Sequence, residues 1–114
     1  DWNLVLNEEG GPNHVRNYCD APVIVDTQTD EVHYNSSYYY IGHFSKYIKP
    51  GARRIGSQVS NDSILATSFE NPDGEIVLVA MNANSGNEEI SISCADGSMT
   101  TTLPSHSIAT FIIR

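Results

Sequence analysis

Two carboxylates stand side by side at Glu8-Glu9, the first place in the chain to look for acid–base chemistry. Splitting an acetal by double displacement takes two carboxyls about 5 Å apart, one to attack and one to give and take the proton. Adjacent residues project in different directions, and the stretch from Asn7 to Asn13 is polar on every side. Glu8 and Glu9 therefore read as solvated loop acids. His14, His33, His43 and His106, with Cys19, raise the question of a metal. Their spacing contains no tight zinc ligand pair, so neither a metal nor another cofactor is expected. Gly10-Gly11-Pro12 lacks the Lys-Ser/Thr and the strand–helix junction of a phosphate loop. No Gly-x-Ser-x-Gly elbow supports a serine nucleophile. These patterns leave every residue of the chain without a catalytic role.

The elements that carry these residues fall into three stretches. Asp1 to Leu6 reads as a short strand running into a loop dense in Gly, Pro, Asn and acid, the kind of place where α/β barrels set groups that touch ligand. Val23-Ile24-Val25 and Val32-His33-Tyr34, with Thr29-Asp30-Glu31 as the turn, predict a small hairpin. One good helix follows. Asn35 or Ser36 can cap it, and Tyr40, Phe44, Tyr47 and Ile48 recur at helical spacing. Lys46 and Lys49 suit the negative end of its dipole, and Pro50-Gly51 stops it. Tyr38, Tyr39 and Tyr40 are spread around the axis, so they read as packing residues and not as a sugar-stacking platform.

From Ala52 onward the pattern is all β. Ile64 to Phe69 is a strand and Asn71-Pro72-Asp73-Gly74 a tight turn. Ile76 to Met81 is apolar on both faces, as a central strand is. Ile90, Ile92 and Cys94 alternate with Ser91 and Ser93, giving one wet face. Asp96-Gly97 turns into Met99–Leu103, and Pro104-Ser105-His106 into Ile108–Ile113. Short strands at this spacing predict an antiparallel sandwich.

The chain has 114 residues and a mass of 12.5 kDa, enough for one modest core and an appendage. A whole (β/α)8 barrel needs about 250 residues and is excluded. The formal net charge of -8 argues against nucleic acid and against an anionic membrane surface, and leaves room for a neutral partner such as a sugar. Cys19 and Cys94 lie in different settings and read as unpaired thiols. No apolar run approaches the roughly 20 residues of a membrane-spanning helix. The opening strand has nothing ahead of it to pair with, and the chain starts with Asp. Both are expected of the last piece of a larger protein.

The chain resembles the C-terminal end of glycoside hydrolase family 30, in its glucosylceramidase-like branch. The resemblance rests on Asp1-Trp2-Asn3-Leu4, Gly10-Gly11-Pro12-Asn13, Val15-Arg16-Asn17-Tyr18 and Asp20-Ala21-Pro22-Val23-Ile24-Val25-Asp26. It continues through Tyr38-Tyr39-Tyr40-Ile41-Gly42-His43-Phe44-Ser45-Lys46-Tyr47-Ile48 and Pro50-Gly51-Ala52-Arg53-Arg54-Ile55-Gly56. Asn71-Pro72-Asp73-Gly74 and Pro104-Ser105-His106-Ser107-Ile108-Ala109-Thr110 complete the series, which covers nearly the whole chain.

That resemblance implies a mainly β piece: an antiparallel β-sandwich side domain (51–114) preceded by the last β/α unit of a (β/α)8 barrel (1–50), with one main helix at about 36–48. The parent it implies is a retaining β-glycosidase acting on a β-glucoside or glucosylceramide-like substrate. Both catalytic glutamates of the family lie on earlier strands, so this segment alone is expected to be inactive. Three substrate-binding residues carry over. Trp2 matches the tryptophan lining the glycone pocket, where a broad ring suits the C–H face of a pyranose. Asn17 matches the loop asparagine that hydrogen-bonds the sugar, its amide offering donor and acceptor together. His14 stands where many relatives have an aromatic residue, which points to an altered outer subsite.

Asp20 and Asp26 read as turn caps or partners of Arg16, and Arg16, Arg53 and Arg54 as candidate ties between barrel remnant and sandwich. The side domain of the family also borrows a strand from the start of the enzyme. An unpaired edge is therefore expected here, through which two copies can associate. The other partners implied are the substrate and the rest of the barrel, with no nucleic acid. Localisation is unknown from the residues; secreted, periplasmic and lysosome-like compartments all suit such a parent. Two other readings stand beside this one. One is a free-standing carbohydrate-binding sandwich, for which the strands offer only Phe69 and Phe111 as aromatics. The other is a parent of the same fold acting as a β-1,6-glucanase or β-xylosidase.

Overall fold

A computed structural model describes residues 2–95 and 97–114. Asp1 of the expected opening strand and Asp96 of the expected Asp96-Gly97 turn lie outside the described residues. The chain divides into two compact units, Asp1–Gly42 and His43–Arg114.

The first unit holds three strands: β1 (Val5–Asn7), β2 (Val23–Asp26) and β3 (Glu31–Tyr34), in the order β1-β2-β3. The opening strand starts later than its sequence suggests, so Trp2 precedes it. It also has a partner: β1 runs parallel to β2, with Val5 opposite Val23 and Asn7 opposite Val25. A parallel pair needs a crossover of about a dozen residues or more, and residues 8–22 supply it as loop. β2 and β3 form the expected antiparallel hairpin. Its turn is held by Asp26, whose Oδ1 accepts the N–H of Gln28 (2.8 Å) and of Thr29 (3.0 Å). Asp30 takes the left-handed conformation there (φ 61°), as short polar side chains do in turns.

The helix α1 spans Ser36–Ser45. It stops three residues short of the expected Ile48, and Pro50 bars any continuation beyond that point. The amides of Tyr47 and Ile48 still reach the Phe44 carbonyl (3.3 and 3.0 Å) and close a last turn. The left-handed Gly51 (φ 89°) then turns the chain away. No residue of α1 is buried. Asn35 ends up with a different task from the expected cap: its Nδ2 donates to Asp20 Oδ1 (2.9 Å) and to the Ala21 carbonyl (2.7 Å).

The second unit is the β-sandwich. One antiparallel sheet has the order β4-β5-β6-β9, from β4 (Arg53–Ile55), β5 (Ile64–Glu70), β6 (Ile76–Asn82) and β9 (Ser107–Ile113). The other is the hairpin of β7 (Glu88–Cys94) and β8 (Gly97–Leu103). Strand β6 is central and apolar on both faces, as its unbroken Ile-Val-Leu-Val-Ala-Met run requires; Val77, Val79 and Ala80 are buried. Ile64, Ala80 and Leu103 form the inter-sheet core, with Ala66, Ile90, Ala109 and Phe111 against it. Leu103 is 2% exposed, and covering a leucine to that degree stabilises by about 1.5–3 kcal/mol. A two-stranded sheet cannot cover a four-stranded one. A cavity of about 550 Å³ remains where Ser68, Ile76 and Leu78 face Ile90 and Ile92.

Two buried asparagines close the ends of this unit. Asn82, fully buried, donates its Nδ2 to the carbonyls of Gly86 (2.8 Å), Pro104 (3.0 Å) and Leu103 (3.2 Å). Asn71 accepts the Lys49 N–H on Oδ1 (2.9 Å) and donates Nδ2 to the Tyr47 carbonyl (3.0 Å), which pins the exit of α1 to the β5–β6 turn. Around it Glu75 accepts from Arg114 Nε (2.9 Å) and lies 3.6 Å from Lys49 Nζ, which also pairs with Asp73. The basic neighbours hold the carboxyls of Glu75 and Asp73 below their ordinary values, and Asp73 raises the Lys49 ammonium.

Candidate functional site

The loop between β1 and β2 carries two of the three binding candidates, and its shape is built from local necessities. Gly10 sits at φ 74°, and a Cβ there would lie 2.6 Å from the Cys19 carbonyl oxygen, so only glycine fits. The crowding arises because Gly11 and Cys19 exchange backbone hydrogen bonds, N–H of Gly11 to Cys19 O (3.3 Å) and N–H of Cys19 to Gly11 O (3.2 Å). Between them the chain makes a 3-10 turn over Asn13–Val15, ended by Arg16 in the left-handed region (φ 54°). The amide of Asn17 returns to the Pro12 carbonyl (3.3 Å). The result is a closed loop with side chains turned outward.

His14 lies in the middle of that 3-10 turn and is exposed. Asn17 is half-buried, and its Oδ1 accepts the Cys19 thiol at 3.0 Å. Trp2 lies ahead of β1 and is 79% exposed. His14 and Asn17 thus share one loop, while Trp2 lies three residues ahead of the adjoining strand. Cys19 and Cys94 are free and exposed. Among the described residues no group of three His, Cys, Asp or Glu is placed to hold a metal ion.

Glu8 and Glu9 are engaged with different partners. Glu8 accepts the Thr27 N–H on Oε2 (2.9 Å) and the Thr27 hydroxyl on Oε1 (2.8 Å). Glu9 Oε2 accepts from Asn13 Nδ2 at 3.1 Å. The Thr27 backbone N–H does most to hold the Glu8 carboxyl below its ordinary 4.5, helped by its own backbone and the Thr27 hydroxyl, against desolvation and then the charge of Asp26. Asp26 is itself held down by the amides of Gln28 and Thr29. These carboxylates are anchors of loop geometry. Sequence reading did not find the Glu8–Thr27 tie, since the partners lie 19 residues apart. The one signal able to reveal it is the parallel register, because Asn7 opposite Val25 brings the two following segments together. An indole ring, an imidazole and an amide are each groups that can bind a polar ligand.

Comparison with known proteins also divides the chain in two, a few residues later than the boundary between the compact units. The glycosyl hydrolase family 30 TIM-barrel domain profile matches residues 1–48. The profile of the family 30 β-sandwich domain matches residues 51–111. Lysosomal acid glucosylceramidase of Mus musculus is 42% identical over 116 residues, taking in all of this chain and 22% of that protein. In structure, SrfJ from Salmonella typhimurium superposes with a TM-score of 0.95 at 42% identity, covering 100% of this chain and 26% of that one. An endo-β1,6-glucanase superposes at 0.86 with 31% identity, over 97% of this chain and 25% of its own. The chain therefore spans about a quarter of the length of these relatives.

Proposed function

The chain belongs to glycosyl hydrolase family 30, and from that membership we propose that it is the C-terminal part of a retaining β-glycosidase of the glucosylceramidase type. In this reading residues 1–50 are the last strand, loop and helix of the barrel, and residues 51–114 are the side domain. The observation that carries it is the match to both domain families in tandem, barrel then sandwich, together with 42% identity to a glucosylceramidase along the whole chain.

The proposed division of labour follows from the residues. Trp2 offers its ring to the C–H face of the glucose unit, and Asn17 hydrogen-bonds a hydroxyl from the loop that Glu8 anchors. His14, on the exposed 3-10 turn, faces the outer subsite where the aglycone begins. Protonation of the leaving group and attack at the anomeric carbon belong to carboxyls outside these residues. The exposed Leu4 and Tyr18 suit contact with the rest of the barrel. An unpaired edge of the two-stranded β7–β8 sheet takes a strand from elsewhere in the whole protein. In the isolated chain that edge offers two copies a place to pair, read as a concentration-dependent dimer by sedimentation.

The test joins this chain to the preceding part of a family 30 glucosylceramidase barrel lacking its own C-terminal segment. The isolated chain is expected to leave an aryl β-glucoside intact and the joined protein to hydrolyse it. Trp2→Ala and Asn17→Ala should each lower kcat/KM by about tenfold, near the worth of one hydrogen bond or ring contact. Turnover by the pure isolated chain would overturn the reading. A parent acting on β-1,6-glucan is the second reading, favoured by the superposition on an endo-β1,6-glucanase; hydrolysis of that polymer in place of the glucoside would select it. A free-standing sugar-binding sandwich is disfavoured because Phe111 packs against the core and Phe69 is half-buried.

A further inference from the structure

Two asparagines of the chain stand in the Asn-x-Ser pattern of an N-glycan acceptor, Asn35-Ser36-Ser37 and Asn61-Asp62-Ser63. Their surroundings differ in the one respect that decides whether the amide nitrogen can carry a sugar. Both hydrogens of Asn35 Nδ2 have a use: one site accepts at Asp20 Oδ1 (2.9 Å) and the other at the Ala21 carbonyl (2.7 Å). Ala21 and Pro22 are buried beside it, and the Asn35 N–H is itself bonded to the Pro22 carbonyl (2.9 Å). A glycan on Asn35 would remove one of these bonds and displace the chain at the start of α1.

Asn61 is exposed, in the loop between β4 and β5. Its Oδ1 accepts the Ser63 N–H (2.9 Å), and its backbone carbonyl accepts the Ile64 N–H (3.0 Å), so the three acceptor residues are held in a tight local turn. With Oδ1 turned inward, Nδ2 faces outward. Its contact there is with the exposed Glu88 Oε2 at 3.3 Å, at the long end of a hydrogen bond. The turn uses residues adjacent in sequence, so it can form before the sandwich does.

We propose that Asn61, and not Asn35, is an N-glycan acceptor site of this chain, used when the chain enters a compartment that holds a lipid-pyrophosphate-linked oligosaccharide. Nδ2 of Asn61 bonds to the anomeric carbon of the oligosaccharide. The bond from that carbon to the pyrophosphate oxygen breaks, its electron pair leaves with the lipid pyrophosphate, and one proton leaves Nδ2. No oxidation or reduction is involved.

The experiment translates the chain behind a secretory leader in the presence of microsomes and scores only protease-protected product, so translocation is established independently of folding. Glycans are then released enzymatically in ¹⁸O water, which marks each formerly glycosylated asparagine as a heavy aspartate. The expected result is one glycan per chain with the label at residue 61. It should vanish in Asn61→Gln and in Ser63→Ala and persist in Ser37→Ala. Protected chain without any glycan, or with label at residue 35, would overturn the assignment.

Discussion

The two units of this chain are held together by different kinds of force. In His43–Arg114 apolar side chains are covered on both faces of the four-stranded sheet, with Val77 and Val79 on one and Ala80 and Leu103 on the other almost without access to solvent. In Asp1–Gly42 the buried side chains are Ala21 and Pro22, while Trp2, Tyr18, Tyr34 and Tyr39 are all more than half exposed. What shapes the first unit is side-chain hydrogen bonding at turns: Glu8 to Thr27, Asp26 to its own turn, Asn35 to Asp20. Exposed hydrogen bonds exchange with water at little net gain, whereas apolar burial accumulates with area. One unit thus has a covered apolar core of its own, whereas the other is shaped chiefly by local hydrogen bonds. That division matches a piece that is part barrel, part side domain.

Hollowing the sandwich should separate the two units most clearly. Leu103→Ala should cost about 2–5 kcal/mol in urea unfolding of the sandwich, from lost transfer energy plus a cavity. Hydrogen exchange in β1 to β3 should hardly change. Equal loosening of both units would show a single cooperative structure. Native-state exchange of the unaltered protein gives the next largest contrast: amides of β6 should be the slowest and those of β3 among the fastest. Protection across β3 equal to that across β6 would contradict the picture.

A smaller effect is expected at the exit of α1. Asn71→Ala leaves the Lys49 N–H and the Tyr47 carbonyl without their partner and should destabilise the sandwich by about 1–3 kcal/mol, read by thermal unfolding. The charges beside it add a pH dependence. Glu75 and Asp73 titrate below their ordinary 4.5 and 3.8, so each adds stability above that value and loses it as pH falls through the lower folded value. Acid should therefore weaken the sandwich further in the unaltered chain than in Arg114→Ala, whose Glu75 has lost its main partner. The smallest change is expected from Glu8→Gln, which keeps an acceptor for Thr27 and removes the charge. Exchange of the Thr27 amide should quicken with no shift in the sandwich transition. A fall in sandwich stability would mean that the units depend on each other.

Much of the architecture was legible in the residues because it is written in short-range pattern. The alternation of Ile90 and Ile92 with Ser91 and Ser93 states which face of β7 is wet, and Asn71-Pro72-Asp73-Gly74 can do little but turn. The β2–β3 hairpin, the helix after Asn35, the barrel-then-sandwich order and the family itself came from such patterns and from the motifs around Gly10-Gly11-Pro12. The tertiary structure alone decided the rest, since it depends on what lies across from a residue. Asn82 sits amid the polar stretch Asn82-Ala83-Asn84, yet it is wholly buried, because three carbonyls from two other segments converge on it. Val77 and Val79 are better covered than the larger Ile76 and Leu78, because the face they point from is covered and the opposite face meets only two strands. Composition and spacing record what each residue prefers; which preference is met is set by the neighbour the fold brings to it.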